Sequence, residues 1–593
     1  MCTCISLAAK ARQDLDQVIR GELDGLVYPN TPGFMDAYFM GQEWSPIVNR
    51  VFGRVTLTHL SPTGWTAWPT NPDQEAVVSW FFSCVRDLLA DTTRQYAQPH
   101  SPTLGNSTAN RKPNVFLRPM VHGGVTVNDD DWSDVLVVSD LKEAQKDPFA
   151  PALVVDLVSY VRLVFQKQHN RRFVHAFNLC GDQMQCWVFH RGGGFASESF
   201  SVNKNPELFV SAVVGYALMS PTELGYDPTL TVGTTGLHVT IPPSQCIDLK
   251  PSAFFSASSM AARGTTCWEA RLAGETEFNY VCKDSWRGDK YTSEGLLLQE
   301  AHRAGVEGIA EYISHEDVNI QSVLDDISGH IMKGLKVGDP LNLRPGQFEF
   351  TGQPKGGLHA FDRIHTRLVT SKGLPIYQFR SNLELLEAFR GAIAGHRSLL
   401  RYGILHRDIS LYNLMITLQP RHDGYKGFLI DLDLAVRIGS ERNPASEHRP
   451  GNFGRMAIGV LGDETHTYRH DLESFFHLLV WIAVHYLPGG STVVPETTMF
   501  DDWMGPTHAE AAMAKKNCMN PAGFEQVLAH FTESAAELKP LARKLRKILF
   551  PWKRKRSFPW RKTELFTGTA PNPEPVYLAF LTAFDAAIVG LRR

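Results

Sequence analysis

Residues 404–415 read Ile-Leu-His-Arg-Asp-Ile-Ser-Leu-Tyr-Asn-Leu-Met, and residues 428–435 read Phe-Leu-Ile-Asp-Leu-Asp-Leu-Ala. In the first, His406, Arg407, Asp408, Ser410 and Asn413 stand among apolar residues; in the second, two acids stand in an otherwise apolar run, with Asp431 eighteen positions past Asn413. Charged groups at the ends of apolar strands are costly to bury unless they meet a partner or an ion. The order suits phosphoryl transfer. That reaction leaves little covalent chemistry to the protein, and needs a base for a hydroxyl and oxygen ligands for a divalent cation. Asp408 fits the base, and Asn413 and Asp431 fit the metal ligands. The plain alternative is a chance His-Arg-Asp in a helix–loop segment. An apolar strand leading into a second acidic string, in this order, argues against it.

A chain of 593 residues is too long for one core and predicts two or three domains. Its 43% hydrophobic and 20% charged residues are those of an ordinary globular protein. With 59 basic and 62 acidic side chains, net charge gives no general argument for nucleic acid or an acidic partner. Nine cysteines are scattered without zinc spacing, which predicts reduced thiols and an intracellular protein, cytoplasmic or nuclear. No secretory signal is expected, since no basic start precedes a long apolar core. The apolar stretch 475–487 is broken by His477 and His485 and is too short to span a bilayer.

Helical spacing of Leu15, Val18, Ile19 and Leu23 predicts a helix within residues 1–30, and a second is expected over 73–90 with Asp73 as its N-cap. Residues 98–113 read as a polar linker. A buried strand over 135–138, a helix over 152–168 and a hairpin of 173–179 with 184–190 predict an α/β domain over residues 1–250. Strands are expected at 278–283, 363–370 and 376–379, with a helix at 293–303. Helices follow at 383–394, 396–402, 471–486, 524–538 and 579–591. The expected class is α+β, with a β-rich region feeding a helical one.

A strand lysine, then a helix glutamate, then the two acidic strings is the order seen in protein kinases, which this chain resembles. There the lysine holds the α- and β-phosphates and the glutamate holds the lysine. Tyr280-Val-Cys-Lys283 supplies Lys283; Glu294 and Glu300 are the candidate glutamates, and the spacing of Glu294 to Leu297-Leu298 favours it. A solvent-facing lysine and a solvated glutamate are the plain readings. Gly264, in Ala262-Arg-Gly-Thr-Thr-Cys267, is the candidate for the phosphate-covering loop, where three glycines would be usual; a surface turn explains it equally. Asp471 reads as the buried carboxylate beneath the catalytic loop or as a helix N-cap.

Lys283-Asp-Ser-Trp286, Leu405-His-Arg-Asp-Ile-Ser410, Leu429-Ile-Asp-Leu-Asp-Leu-Ala435 and Thr465-His-Thr-Tyr-Arg-His-Asp-Leu-Glu-Ser474 together resemble the fungal-type protein kinase family. The similarity extends to Trp132-Ser-Asp-Val-Leu136, Arg171-Arg-Phe-Val174 and Gly225-Tyr-Asp-Pro228, from about 130 to 490. The resemblance implies a bilobal kinase domain over 251–593: a small lobe about 251–380, a large lobe about 381–500 and a helical extension about 501–593. It implies ATP and Mg2+, a protein substrate phosphorylated on Ser or Thr, and a catalytic loop supported by Arg407. Departures from the pattern are Ser410, where a lysine is usual, Asp433 in place of a glycine, and Gly451-Asn-Phe-Gly-Arg-Met-Ala457 in the substrate-docking segment. Losing the lysine removes a positive charge from the transferring phosphate, for which Arg437 is a candidate substitute. Ser410 and Asp433 keep open a small-molecule phosphotransferase of the choline- or aminoglycoside-kinase type. The glycine-poor loop and altered docking segment keep open an impaired ATP-binding scaffold.

Asp134, Asp140 and Lys142 faintly resemble the acid pattern of metal-dependent nucleases, though a strand-edge acidic cluster with a surface lysine explains them as well. The basic stretch 543–562 reads as a nucleic-acid or nuclear-import patch, or as the solvated face of a helix end. No membrane partner is expected.

Overall fold

The structure is a computed structural model that describes residues 2–98, 113–120, 132–143, 151–233, 236–341, 362–439, 456–495, 499–505, 507–555, 562–565 and 571–593. It is α+β. Most of the linker read at 98–113 and most of the segment 451–457 lie outside the described residues. Two compact units emerge: the first comprises 1–278, 282–291 and 315–367, and the second 279–281, 292–314 and 368–593. Residues 251–367 thus contribute to both.

The first unit holds a sheet whose main path runs Val27–Tyr28, Gly193–Ala196, Gln183–His190, Phe173–Cys180, Val137–Lys142, Val115–Pro119, Arg94–Ala97. Both faces are apolar. Along Phe173–Cys180, Phe173, Phe177 and Leu179 enter one core with the helices Ser45–Thr58, Gln74–Leu88 and Pro206–Leu218. Val174 and Ala176 enter another with Pro151–Lys167. The period-two alternation of a strand makes this division. The expected hairpin turns at Gly181-Asp182, between strands paired from Phe173↔His190 to Cys180↔Gln183. Asp73 caps its helix as expected, its Oδ1 accepting from Ala76 N at 2.9 Å.

A second sheet runs Thr231–Gly233, Gly236–Ile241, Gln245–Leu249, Thr266–Leu272, Tyr280–Gly288, Arg363–Ser371, Tyr312–Asp317. Its last three strands begin or end in residues counted with the second unit.

The second unit is mainly helical. Its largest core gathers Leu385, Phe389 and Ile393 of helix Asn382–Arg401, Leu472 to Val484 of helix Tyr468–His485, and Tyr577 to Ile588 of helix Glu574–Leu591. The last helix is long and apolar enough to cross a membrane, and one stripe of it is buried in this core. Three expectations are corrected. Residues 383–394 and 396–402 belong to one helix, because Gly395 serves close packing: a Cβ there would meet Gly308 O at 2.1 Å. Residues 376–378 form a 3-10 turn instead of a strand, with Ile376 buried in the helical core. The helix expected at 524–538 is a helix Pro521–Ala529 followed by a 3-10 segment Glu533–Leu538.

Candidate active site

The two acidic strings are held to each other at both ends. The loop of Asp408 leaves strand Ile404–Leu405 and enters Leu414–Thr417; the loop of Asp431 leaves Gly427–Leu429 and enters Val436–Arg437. Ile404 and Leu405 pair with Arg437 and Val436, while Leu414, Met415 and Ile416 pair with Leu429, Phe428 and Gly427. Two short antiparallel ladders therefore set one loop against the other. Ile430 N adds a bond to Asn413 O at 3.0 Å.

His406 fastens the loops from within. Its Nε2 donates to Ile430 O at 3.0 Å, so Nδ1 carries no proton and accepts from Asp408 N at 3.3 Å. The ring is fully buried, and burial lowers its pKa, which favours this neutral form. One side chain thus ties the amide of Asp408 to the residue before Asp431. Asn413 completes the loop: its Nδ2 donates to Asp408 Oδ2 at 2.8 Å and to Asp408 O at 3.0 Å. With the nitrogen facing Asp408, the amide oxygen points away from it, an acceptor suited to a hard cation.

Arg407 and Asp431 both have left-handed backbones, with φ of 69° and 68°. For residues with a Cβ this costs of order 1–2 kcal/mol each, so the surroundings must hold them. At Arg407 the holder is Asp471, fully buried, whose Oδ2 accepts Arg407 N at 3.0 Å and His396 Nε2 at 2.7 Å. Its Oδ1 accepts His466 Nε2 at 2.7 Å. Burial alone would raise the Asp471 pKa, but the His466 ring and the bond from His396 hold it well below the usual carboxylate range. Asp471 is not the helix N-cap; Thr467 is, in a capping box with His470. His396 and His466 were not singled out in the sequence. His466 stands five positions before Asp471 and was legible, whereas His396 is 75 positions away and only the fold brings it in.

Glu294 opens the helix Glu294–Arg303 and is buried; its Oε1 accepts Leu432 N at 3.0 Å. The helix is seated by Leu297, Leu298 and Ala301 in a core shared with Ile404, Phe428 and Leu432. Carboxylate oxygens of Glu294, Asp431 and Asp433 lie within 4.8 Å of one another. Asp227–Asp284–His365 and His238–Cys246–Asp248, among the described residues, also bring ligand atoms within 4.8 Å of one another. In the first, Arg367 binds both aspartates; in the second, Asp248 is engaged by Arg271 and His238. Oxygen-only donors of the Glu294 grouping fit a hard divalent cation.

Lys283 is half-buried on Tyr280–Gly288, in the part of that strand belonging to the first unit. Gly264, also in the first unit, is buried with φ +56°, and a Cβ on it would stand 2.5 Å from Arg191 Nε. Arg437, the candidate substitute for a lysine at 410, pairs with Glu300. In the first unit Lys142 Nζ lies 3.1 Å from Asp140 and 3.6 Å from Asp156, while Asp134 faces Arg118. Asp134 and Asp140 enter no metal-holding group among the described residues. Within the basic stretch, Arg543 pairs with Glu525 and the buried Arg546 donates to Met519 O at 2.8 Å.

No curated protein matches the sequence. Among solved structures, one described as vaccinia related kinase 3 is similar over 61% of this chain and 94% of its own, at 12% identity and a TM-score of 0.36. The profile described as "Fungal protein kinase" matches residues 113–483. That span takes in the lysine strand, both acidic loops and Asp471, and it covers well over half of the chain. By that match the chain belongs to the fungal protein kinase family.

Proposed function

We propose that the protein is an ATP-dependent kinase that transfers the γ-phosphate to Ser or Thr hydroxyls of a protein substrate. The observation that carries this reading is the joining of two loops: Asp408 bonded to Asn413, and His406 tying Asp408 to the residue before Asp431. Asp408 takes or orients the hydroxyl proton, with Asn413 fixing one of its oxygens. Lys283 is assigned the α- and β-phosphates and Glu294 the balancing negative charge. Arg407, with its amide fixed by Asp471, supports the loop. Asn413 and Asp431 would hold Mg2+, with Asp433 beside them; when bound, the ion neutralises charge on the β- and γ-phosphates. Gly264 is assigned to the loop near the phosphates, with Arg191 at its back.

In the same proposal residues 1–250 form an α/β domain and 251–593 a bilobal kinase domain, in an intracellular protein. Ser410, and a third carboxylate at Asp433 in the cation-holding group, favour a second reading, transfer to a small-molecule hydroxyl. Purified protein with γ-labelled ATP, Mg2+ and a mixed protein pool, run beside Asp408→Ala, separates them. Labelled protein lost in the variant supports the first reading. Label on small molecules alone supports the second.

A further inference from the structure

Three of the strings that resemble the family, Arg171-Arg-Phe-Val174, Gly225-Tyr-Asp-Pro228 and Lys283-Asp-Ser-Trp286, converge in the first unit on one buried ion cluster. Its centre is Arg367, 1% exposed. The guanidinium grips Asp284 with two bonds of 2.9 Å, Nε to Oδ1 and Nη2 to Oδ2. It also reaches Asp227 Oδ2 at 3.0 Å, Thr229 Oγ1 at 3.1 Å and Glu316 Oε1 at 3.2 Å. His365 lies alongside, 3.4 Å from Asp284 and 3.0 Å from Asp325, its ring stacked on Trp286. Arg172 closes the far side with a 2.7 Å bond to Asp325. Burial would lower the His365 pKa, but bonds to Asp284 and Asp325 lift it to about 9.

Asp284 directly follows Lys283, and alternation along a strand points the two side chains to opposite faces. A bidentate grip on Asp284 therefore fixes the rotation of the strand and the direction in which Lys283 leaves it. Neighbouring contacts act the same way: Ser285 Oγ meets Thr366 Oγ1 at 3.0 Å, and Trp286 N donates to Arg263 O at 2.7 Å. The grip is incomplete without residues from before position 250, since Asp227 shares Nη2 of Arg367 with Asp284 and Thr229 takes Nη1.

We propose that Asp227, Thr229 and Arg172 are positioning residues that, through Arg367 and Asp325, aim Lys283, so that the region before residue 250 is an integral part of the phosphate-binding apparatus. This rests on the kinase reading for the role of Lys283. The test uses the full chain with Asp227→Asn, the milder Thr229→Val, and Phe81→Leu as a control buried among Tyr96, Phe177 and Phe209 of the same unit. Michaelis constants for MgATP and kcat are measured together with amide hydrogen exchange at residues 282–286. Asp227→Asn raises KM for ATP at least tenfold, Thr229→Val about threefold, and both speed exchange at 282–286, while Phe81→Leu lowers Tm and leaves KM and that exchange unchanged. Wild-type KM and exchange in both cluster variants overturn the proposal, as does a KM increase of the same size in Phe81→Leu. If Asp227→Asn does not fold, Thr229→Val decides by the same criteria. A wild-type chain that neither binds nor turns over ATP refutes the kinase reading, and exchange alone then decides the clamp: unchanged exchange overturns it.

Discussion

Replacing Asp471 by alanine removes a fully buried acceptor from three donors at once: Arg407 N, His396 Nε2 and His466 Nε2. Hydrogen bonds to a charged group are worth roughly 1.5–3 kcal/mol net, so three sum to about 4.5–9 kcal/mol. Water entering the vacated space re-solvates part of this, which places the expected loss just below that range, at about 4 kcal/mol. For a unit of this size that is a fall in Tm of roughly 8–16 °C. Asp471→Asn keeps one acceptor oxygen and is expected to lose about half as much. The acid dependence is a second readout. A carboxylate whose folded pKa is depressed contributes stability that is whole above its unfolded pKa, near 3.9, and is lost as pH falls through the folded value. The gap between wild type and Asp471→Asn therefore narrows below about pH 4 and is constant above pH 5. Calorimetry of both variants from pH 7 to pH 3 measures this. A loss under about 1 kcal/mol for alanine, or a gap that does not narrow in acid, refutes the account of how the Arg407 backbone is held.

Other substitutions probe the remaining parts of the site. Asp431→Asn and Glu294→Gln each weaken binding of Mn2+ with a nonhydrolysable ATP analogue at least tenfold by titration calorimetry, a change of about 1.4 kcal/mol; unaltered affinity in Asp431→Asn removes the cation assignment, and in Glu294→Gln the role given to Glu294. His406→Ala frees Asp408 N and Ile430 O and lowers kcat by about a hundredfold, as a shift of roughly 1 Å in a reacting group does; steady-state kinetics with near wild-type kcat would contradict this. Gly395→Ala drives a Cβ to 2.1 Å from Gly308 O, a backbone atom, and costs about 3 kcal/mol or more by denaturant titration. Arg437→Ala breaks an exposed pair with Glu300, costs under about 1 kcal/mol, and leaves kcat unchanged if Arg437 does not assist the phosphate.

The local parts of this site were legible in the sequence because they are contiguous. His406, Asp408 and Asn413 occupy one loop, Asp431 ends an apolar run, and alternating and helical periods located most flanking elements. The two helices expected on either side of position 395 are one, since the glycine there serves close approach to Gly308 and does not break the helix. Residues 376–379 are apolar and aromatic enough for a strand, yet the need to bury Ile376 in the helical core outweighed that propensity. The donors around Asp471 come from three places in the chain, and no periodicity announces them. The ion cluster around Arg367 left one trace: His365 and Arg367 stand at alternate positions of a strand, a charged pair on a face that is buried. Its partners Asp227, Asp284 and Asp325 are brought to it only by the folding of the first unit.

The most direct test of the kinase assignment is transfer of label from γ-labelled ATP to protein serine or threonine, in Mg2+, by the wild-type chain beside Asp408→Asn. Wild type is expected to yield phosphoserine or phosphothreonine, reduced at least a thousandfold in the variant while ATP binding persists. Transfer that survives unchanged in Asp408→Asn, or a wild-type chain that transfers none, would contradict the kinase assignment.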